Sequence, residues 1–330
     1  MSKKKILLVS PYSLMNYGGV QNQILKSKEY LQGDAFDLRI YCHGSDDYNN
    51  TSPIFINFNS SKSNVSIKCD KLLLKEAIEW ADIIHIHEPF IPLLMWRLRT
   101  DKPIITTHHA SLNMFWVIIL KIVYKIFTRN LSIVNISVSK QSYNQASSLR
   151  SNPIIIPNFI KLKKELKFNR TGTRISFLGR DENRKGLSIF INSIDSYIIN
   201  QLKPTIISNR YVKNIGIDSY SNIDETKKIE LLKETKIFVA PNTKNESFGI
   251  ILLEAIANGA IVISSDIPPF KQVLSESGIY FTNKNSHQLN LVIKNTLRDD
   301  MSNIWNRQYT QILLYESGKI LGQLIDLYNK

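Results

Sequence analysis

The chain has 330 residues, of which 43% are hydrophobic, and a formal net charge of +14. That length suits two domains of about 150 residues each, and its supply of aromatic and β-branched residues excludes a disordered chain. Cys42 and Cys69 are the only cysteines, too few for a disulfide scaffold, so a reducing cytoplasm is the expected compartment.

Lys3, Lys4 and Lys5 precede a short apolar run, Ile6 to Val9, that ends before Pro11. This reads as a first buried strand rather than a signal peptide. Strands are then predicted at Ile6–Ser10, Leu38–Tyr41, Ile83–Ile86, Ile104–Thr107 and Ile133–Ser137, with helices at Val20–Leu31, Lys71–Trp80, Pro92–Leu98, Ser111–Thr128 and Lys140–Ser147. Apolar strands alternating with amphipathic helices predict a parallel sheet covered on both faces. The rhythm pauses at "NPIIIPNFIKLKKELKFNRTGT", whose prolines and basic residues suggest an interdomain connection. It restarts with strands at Arg174–Leu178, Thr205–Ile207, Ile237–Ala240, Ala260–Ser264 and Ile279–Phe281. Helices are predicted at Leu187–Ile199, Asp224–Glu234, Gly249–Ala257 and Ser286–Thr296, and the tail Met301–Tyr328 reads as one or two more. The expected architecture is two doubly wound α/β domains with a cleft between them, covering 1–157 and 158–311, with a C-terminal helix of about 312–330 packing back on the first.

Ligands of such sheets sit at the carboxyl ends of strands, so the segments after strands carry the candidates. Gly18-Gly19 precede a helix, where backbone N–H groups can approach an anion, although a plain turn explains the pair as well. His85 and His87 alternate along one strand and point the same way; a third ligand for zinc is lacking, and satisfied histidines are the simpler reading. His108 and His109 end the next strand, where either could polarise a substrate or pack at a helix start. "FLGRDENRKG" offers Arg180, Arg184 and Lys185, cations suited to a departing diphosphate. In "NESFGIILLEAIANG", Glu246 falls just before a helix and Glu254 in its second turn, with the N–H groups of Ser247, Phe248, Gly249 and Ile250 between them. Carboxylates accept from sugar hydroxyls and a helix start favours negative charge; the plain alternative is a helix-start acid and a surface acid.

Taken in order, "GGVQ", "HIHEP", "TTHHAS", "IIIPN", "FLGRDENRKG", "NESFGIILLEAIANG" and "VISSDIPPF" resemble the retaining GT-B glycosyltransferases with an E-x7-E motif, the group 1 or family 4 type. The likeness is greatest to bacterial phosphatidylinositol mannosyltransferases. The resemblance implies a GT-B fold with two Rossmann-like domains, the first on the acceptor side and the second binding a nucleotide-diphosphate sugar. It implies that His109 and Glu246 lie at the reacting centre, and that Gly19, Arg180 and Lys185 hold the donor diphosphate. Glu246, Phe248, Gly249, Ile250 and Glu254 would hold its sugar and ribose. Retention would proceed through an oxocarbenium-like state with the departing diphosphate taking the acceptor's proton, so positioning and charge stabilisation suffice. No D-x-D motif stands at a strand end, so neither metal nor other cofactor is expected. The segment Asn209 to Asp224, which in the family helps frame the base, looks trimmed, and the donor base stays open.

The stretch Ile91–Arg150 holds eight Lys/Arg and one acid, a net of +7. No zinc-finger, RNP or helix-turn-helix signature accompanies it, so nucleic acid is not an expected partner. Of the sixteen residues Leu112–Phe127, thirteen are apolar or tyrosine, and Lys121, Lys125 and Arg129 recur every four positions. The segment is too short and charged to span a bilayer comfortably. It reads either as a core helix whose basic stripe meets solvent or as an interfacial helix on anionic headgroups; the surrounding charge favours the second. The resulting expectation is a cytoplasmic enzyme, peripheral on the inner face of the membrane, that moves a hexose to a lipid-linked or glycan acceptor. The rival readings are a sugar-nucleotide 2-epimerase and a non-catalytic nucleotide- or lipid-binding module.

Overall fold

The computed structural model describes residues 2–15, 18–51, 53–58, 61–66, 68–89, 100–109, 118, 122, 124–126, 131–147, 152–162, 167–169, 171–214 and 216–330. The predicted helix Pro92–Leu98 and most of Ser111–Thr128 lie outside them. The chain forms two compact units, residues 1–158 with 320–330 and residues 159–319.

Among the described residues the first unit is built on a seven-stranded sheet in the order β3-β2-β1-β6-β7-β8-β9. Its strands are β1 (Lys4–Val9), β2 (Phe36–Cys42), β3 (Tyr48–Asn49), β6 (Ile83–His87), β7 (Ile104–His108), β8 (Ile133–Ser137) and β9 (Ile154–Ile155), and every neighbouring pair is parallel. Ile6, Leu7, Leu8 and Val9 are all at most 1% exposed, which is why β1 is a continuous apolar run: both faces of the sheet are covered. Leu7, Val9, Ile84, Ile86 and Ile104 pack with Leu74 and Ala77 of α2 (Lys71–Trp80) and with Tyr124. Asp70 starts α2 by accepting from the N–H groups of Leu72 and Leu73. Helices α1 (Gly19–Leu31) and α3 (Lys140–Ala146) also belong to this unit, α3 opening on a capping box of Ser139 and Ser142. An antiparallel hairpin, β4 (Ile54–Phe58) with β5 (Ser61–Val65), stands apart from the sheet.

The second unit's sheet runs β12-β11-β10-β13-β14-β15. These are β10 (Arg174–Leu178), β11 (Lys203–Ser208), β12 (Asp218–Ser221), β13 (Thr235–Ala240), β14 (Ile261–Ser265) and β15 (Ile279–Phe281), again all parallel. Ile175, Phe177, Ile206, Ile237, Val239 and Ile263 face Phe190, Ile198, Leu289 and Ile293 from the covering helices.

Three differences from the sequence reading have identifiable physical causes. Leu187–Ile199 is not one helix but two, α4 (Leu187–Ser193) and α5 (Ser196–Gln201). Asp195 caps the second by accepting from the Ile198 N–H, and Asn290 and Lys294 hold the same carboxylate. Its carboxyl sits at about 2, chiefly because of the bond from Lys294. The segment 209–224 contains the edge strand β12, whose polar sequence hides it from a hydrophobicity pattern. After α6 (Glu225–Glu234) and α7 (Ile250–Ile256), an unpredicted helix α8 (Pro268–Leu274) begins on a proline, which costs nothing in a first turn. Toward the C-terminus follow α9 (Ser286–Arg298), α10 (Met301–Ile312) and α11 (Ser317–Asn329).

Candidate active site

Both sheets reverse their winding direction at the first strand of the unit: β10 lies between β11 and β13, and β1 between β2 and β6. Loops leaving the carboxyl ends of strands at such a switch point frame a ligand crevice. In the second unit those loops follow Leu178 of β10 and Ala240 of β13.

They are clamped together. The loop after β10 tightens into a 3-10 turn, Asn183–Lys185, and leaves it at Gly186 with φ +75°. A Cβ there would lie 2.0 Å from the Pro241 carbonyl oxygen, so only glycine permits this approach. The Thr243 N–H donates to the Arg184 carbonyl at 2.8 Å, and Arg184 Nη1 donates to the Asn245 carbonyl at 3.2 Å. Across this seam Lys185 Nζ donates to Glu246 Oε2 at 2.8 Å, and Asn242 Nδ2 donates to the same oxygen at 2.6 Å. Burial alone would raise the Glu246 carboxyl; the charge and hydrogen bond of Lys185, with Arg184 and Asn242, outweigh it and hold the group below its usual value. Both donors converge on Oε2, which leaves Oε1 to accept a hydroxyl from a ligand.

The other cations are disposed differently. Arg180, 38% exposed at its side chain, lies 3.3 Å from Glu182 Oε1, and the buried Arg184 lies 2.8 Å from Glu182 Oε2. Glu182 thus holds two guanidinium groups at the loop, whereas Arg180 makes no ion pair with Glu246. Gly249 caps α7 at φ +95°, where a Cβ would strike the Phe270 ring. The first turn of α7 starts at Ile250, and helix geometry leaves amide N–H groups there without intrahelical acceptors. The Phe248 side chain itself is buried edge-on against Tyr315, at 5.4 Å between centroids. Glu254 is buried and accepts from Lys228 Nζ at 3.0 Å, and Lys228 also meets Glu225 at 2.9 Å. The surface-acid reading of Glu254 is therefore excluded: it faces inward from α7 onto α6.

Sequence reasoning missed Asn242, Glu182 and Lys228. Asn242 follows Pro241 at a strand end, which was the signal available; Lys228 sits in a strongly charged helix and reads there as solvated.

In the first unit, Gly19 is the first residue of α1, with Gly18 extended at its cap. The four histidines at the ends of β6 and β7 are all at most 5% exposed. His85 spends both nitrogens, Nδ1 on the Tyr328 hydroxyl at 2.6 Å and Nε2 on Thr107 Oγ1 at 2.7 Å. His87 stacks on His85 with centroids 4.5 Å apart, and its Nδ1 lies 3.0 Å from Nε2 of His109. His108 projects elsewhere, between Thr106 and Asn135 and beside Tyr124. Burial drives all four below the ordinary value: His85 to about 3, with His109 adding to the effect; His108 to about 4 despite its bond to Asn135; and His87 and His109 well down, each lowered further by neighbouring histidines. Among the described residues no cluster of three or more His, Cys, Asp or Glu is arranged to hold a metal ion.

Of the basic helix residues, Lys125 is exposed, while Lys121 and Arg129 lie outside the described residues. Tyr124 is buried, whereas Ile118, Ile122 and Ile126 are 53%, 59% and 63% exposed. No helix of the described residues is long and apolar enough to cross a membrane.

Residues 158–311 match the model of "Glycosyl transferases group 1", and residues 17–164 match that of "Glycosyltransferase Family 4". The chain is 27% identical to the phosphatidyl-myo-inositol mannosyltransferase of Propionibacterium freudenreichii, over 82% of this chain and 80% of that protein. It is 26% identical to the enzyme of that name from Mycobacterium leprae, over 83% and 82%. Among solved structures, sucrose-phosphate synthase from Thermosynechococcus elongatus superposes with a TM-score of 0.74 at 15% identity, covering 99% of this chain and 98% of that one. Anabaena Alr3699/HepE in complex with UDP and glucose superposes at 0.70 and 11%, covering 99% of each. The chain belongs to the group 1 and family 4 glycosyltransferases and is an enzyme of the GT-B fold.

Proposed function

We propose that the enzyme transfers a hexose from a nucleotide-diphosphate sugar, with retention of configuration, to a lipid-linked or glycan acceptor at the cytoplasmic face of the membrane. The observation that carries this reading is the pair Lys185–Glu246, one cation and one acid brought to 2.8 Å across two loops at a switch point. An ammonium placed there can neutralise a departing diphosphate. As Lys185 turns to the phosphates, Glu246 keeps Asn242 as its donor and accepts from sugar hydroxyls. Arg180, tethered by Glu182 yet partly exposed, supplies a second charge to the diphosphate. Backbone amides of Phe248, Gly249 and Ile250 add neutral donors, and Glu254, fixed by Lys228, takes the ribose. Gly19 and His109 keep the roles the family resemblance gives them, a backbone donor to phosphate and the active-site histidine. No residue need act as a strong base, and no metal or other cofactor enters the proposal.

The exposed isoleucines support a membrane-side acceptor. Ile118, Ile122 and Ile126 recur every four residues with Lys125 beside them, the pattern of a helix lying in an interface with apolar groups inward and cations at the headgroups. A core helix would have buried those isoleucines. The names of the related enzymes make mannose and an inositol lipid the first pair to try.

A thermal-shift panel of UDP-, GDP- and ADP-sugars, followed by turnover on membrane lipid extracts, tests the whole reading. Stabilisation by one donor and a glycosylated lipid or glycan product support it. An isomerised sugar without transfer, or binding without turnover, defeats it. Flotation with anionic liposomes tests the membrane clause: no binding at low salt, or binding unchanged in Lys121→Glu/Lys125→Glu, removes it.

A further inference from the structure

The pairing of His87 with His109 is not explained by anything above. His87 is 4% and His109 5% exposed. His87 Nδ1 and His109 Nε2 are 3.0 Å apart, so one nitrogen donates and the other accepts. The other nitrogen of His87, Nε2, is buried with no hydrogen-bond partner among the described residues.

Only two arrangements of neutral rings make this bond. If His109 Nε2 donates, His87 must carry its own proton on Nε2, as a buried N–H with no acceptor among the described residues. If His87 Nδ1 donates, Nε2 of His87 is merely a bare acceptor. Orphaned buried N–H groups are rarer in folded proteins than under-used acceptors, and leaving a buried donor unmade carries its full desolvation cost. The second arrangement is favoured, and it dictates that His109 carries its proton on Nδ1, the ring nitrogen not committed to His87. Burial and the mutual proximity of the rings keep both neutral. His85 makes the arrangement rigid: with both nitrogens engaged by Tyr328 and Thr107, it is a fixed plate against which the His87 ring lies, 24° from parallel.

We infer that His87 is a positioning residue that fixes the tautomer of His109, so that His109 meets substrate as a hydrogen-bond donor through Nδ1 and not as a base. This rests on the reading of His109 as the active-site histidine. It assigns a task to the histidine that "HIHEP" places at the end of β6, and it fits a reaction in which the protein supplies no strong base.

Three substitutions of similar size separate the possibilities, because the Asn amide nitrogen Nδ2, bonded to Cγ as Nδ1 is in His, can occupy the place of His Nδ1. His87→Asn keeps a donor there, His87→Leu removes it, and His87→Asp replaces it with an acceptor. With the nucleotide sugar chosen by the thermal-shift panel, His87→Leu and His87→Asp should lower kcat about tenfold or more while the donor KM stays within about twofold, and His87→Asn should recover the rate to within about threefold of the parent. A merely structural role would impair Asn and Leu alike, and that outcome overturns the inference. So does a parental rate in His87→Leu. Two-bond proton–nitrogen spectra of the full chain, with ring nitrogens labelled and His109 assigned by His109→Gln, read the tautomer without turnover. A proton on Nδ1 of His109 is expected; a proton on Nε2 overturns the inference. If His109→Gln proves as active as the parent, it is the functional reading of His109 that has failed, and the spectrum still decides what His87 does.

Discussion

The two units wind their sheets alike around the switch point but stock the strand ends with opposite kinds of polar group. The first buries neutral rings, His85, His87, His108 and His109, held by one another and by hydroxyl and amide groups. The second holds full charges, partly buried in Lys185 with Glu246 and buried in Lys228 with Glu254, each acid matched to a lysine from another element. Neutral rings are inexpensive to desolvate and sensitive to pH; buried ion pairs are insensitive near neutrality and fragile to loss of one member. The difference suits the parts assigned to them, a hydrogen-bonding surface in one unit and an anion site in the other.

The largest test removes the charge that defines the second unit's site. Glu246→Gln keeps the shape and the bond to Asn242 yet should lower the transfer rate by about 10² to 10³, since it takes away a group acting on developing charge; rates of nucleoside diphosphate release measure it. Next, Lys228→Met should destabilise the second unit by about 3 kcal/mol, because both partners are over nine-tenths buried and Glu254 is left with only its link to the protein's other donors. Urea denaturation reads that loss, and Lys228→Met/Glu254→Leu should recover much of it.

Acidification should weaken the first unit before the second. The folded values of the four histidines lie below their unfolded value of 6.5, so the unfolded chain binds more protons under pH 6.5. Their contribution is complete above 6.5 and is lost as the pH falls toward about 3 to 4, at up to about 1.4 kcal/mol per pH unit for each histidine. Glu246, lowered from 4.5, loses its contribution only as the pH falls below that value. Between pH 6.5 and 5 the first unit should therefore open first; pulse proteolysis with mapped fragments would show peptides of 2–158 before those of 159–319. Equal or opposite order would break the comparison. The smallest effect lies away from both sites: Asp195→Ala should cost about 1 kcal/mol through the lost cap of α5, without changing nucleotide-sugar affinity.

Much of this was legible in the sequence. Ile133–Ser137, Arg174–Leu178 and Ile279–Phe281 were bounded to the residue by their apolar runs, because strands buried on both faces must be continuously hydrophobic. The polar strand β12 and the break at Asp195 were not, since one is held by edge pairing and the other by Lys294, far off in sequence. Lys185 and Glu246 could each be placed after a strand from periodicity alone. That they meet, while Arg180 turns to Glu182, could not.

The sequence by itself determined the α/β rhythm, the pauses between elements, and which short segments carry chemistry, because hydrophobic period and turn residues act over a few positions. Only the tertiary structure decided which acid meets which lysine and which histidine meets which. Those partners are 61, 26 and 22 residues apart, and a buried polar group is satisfied by whatever the folded chain brings within about 3 Å, not by its neighbours in sequence.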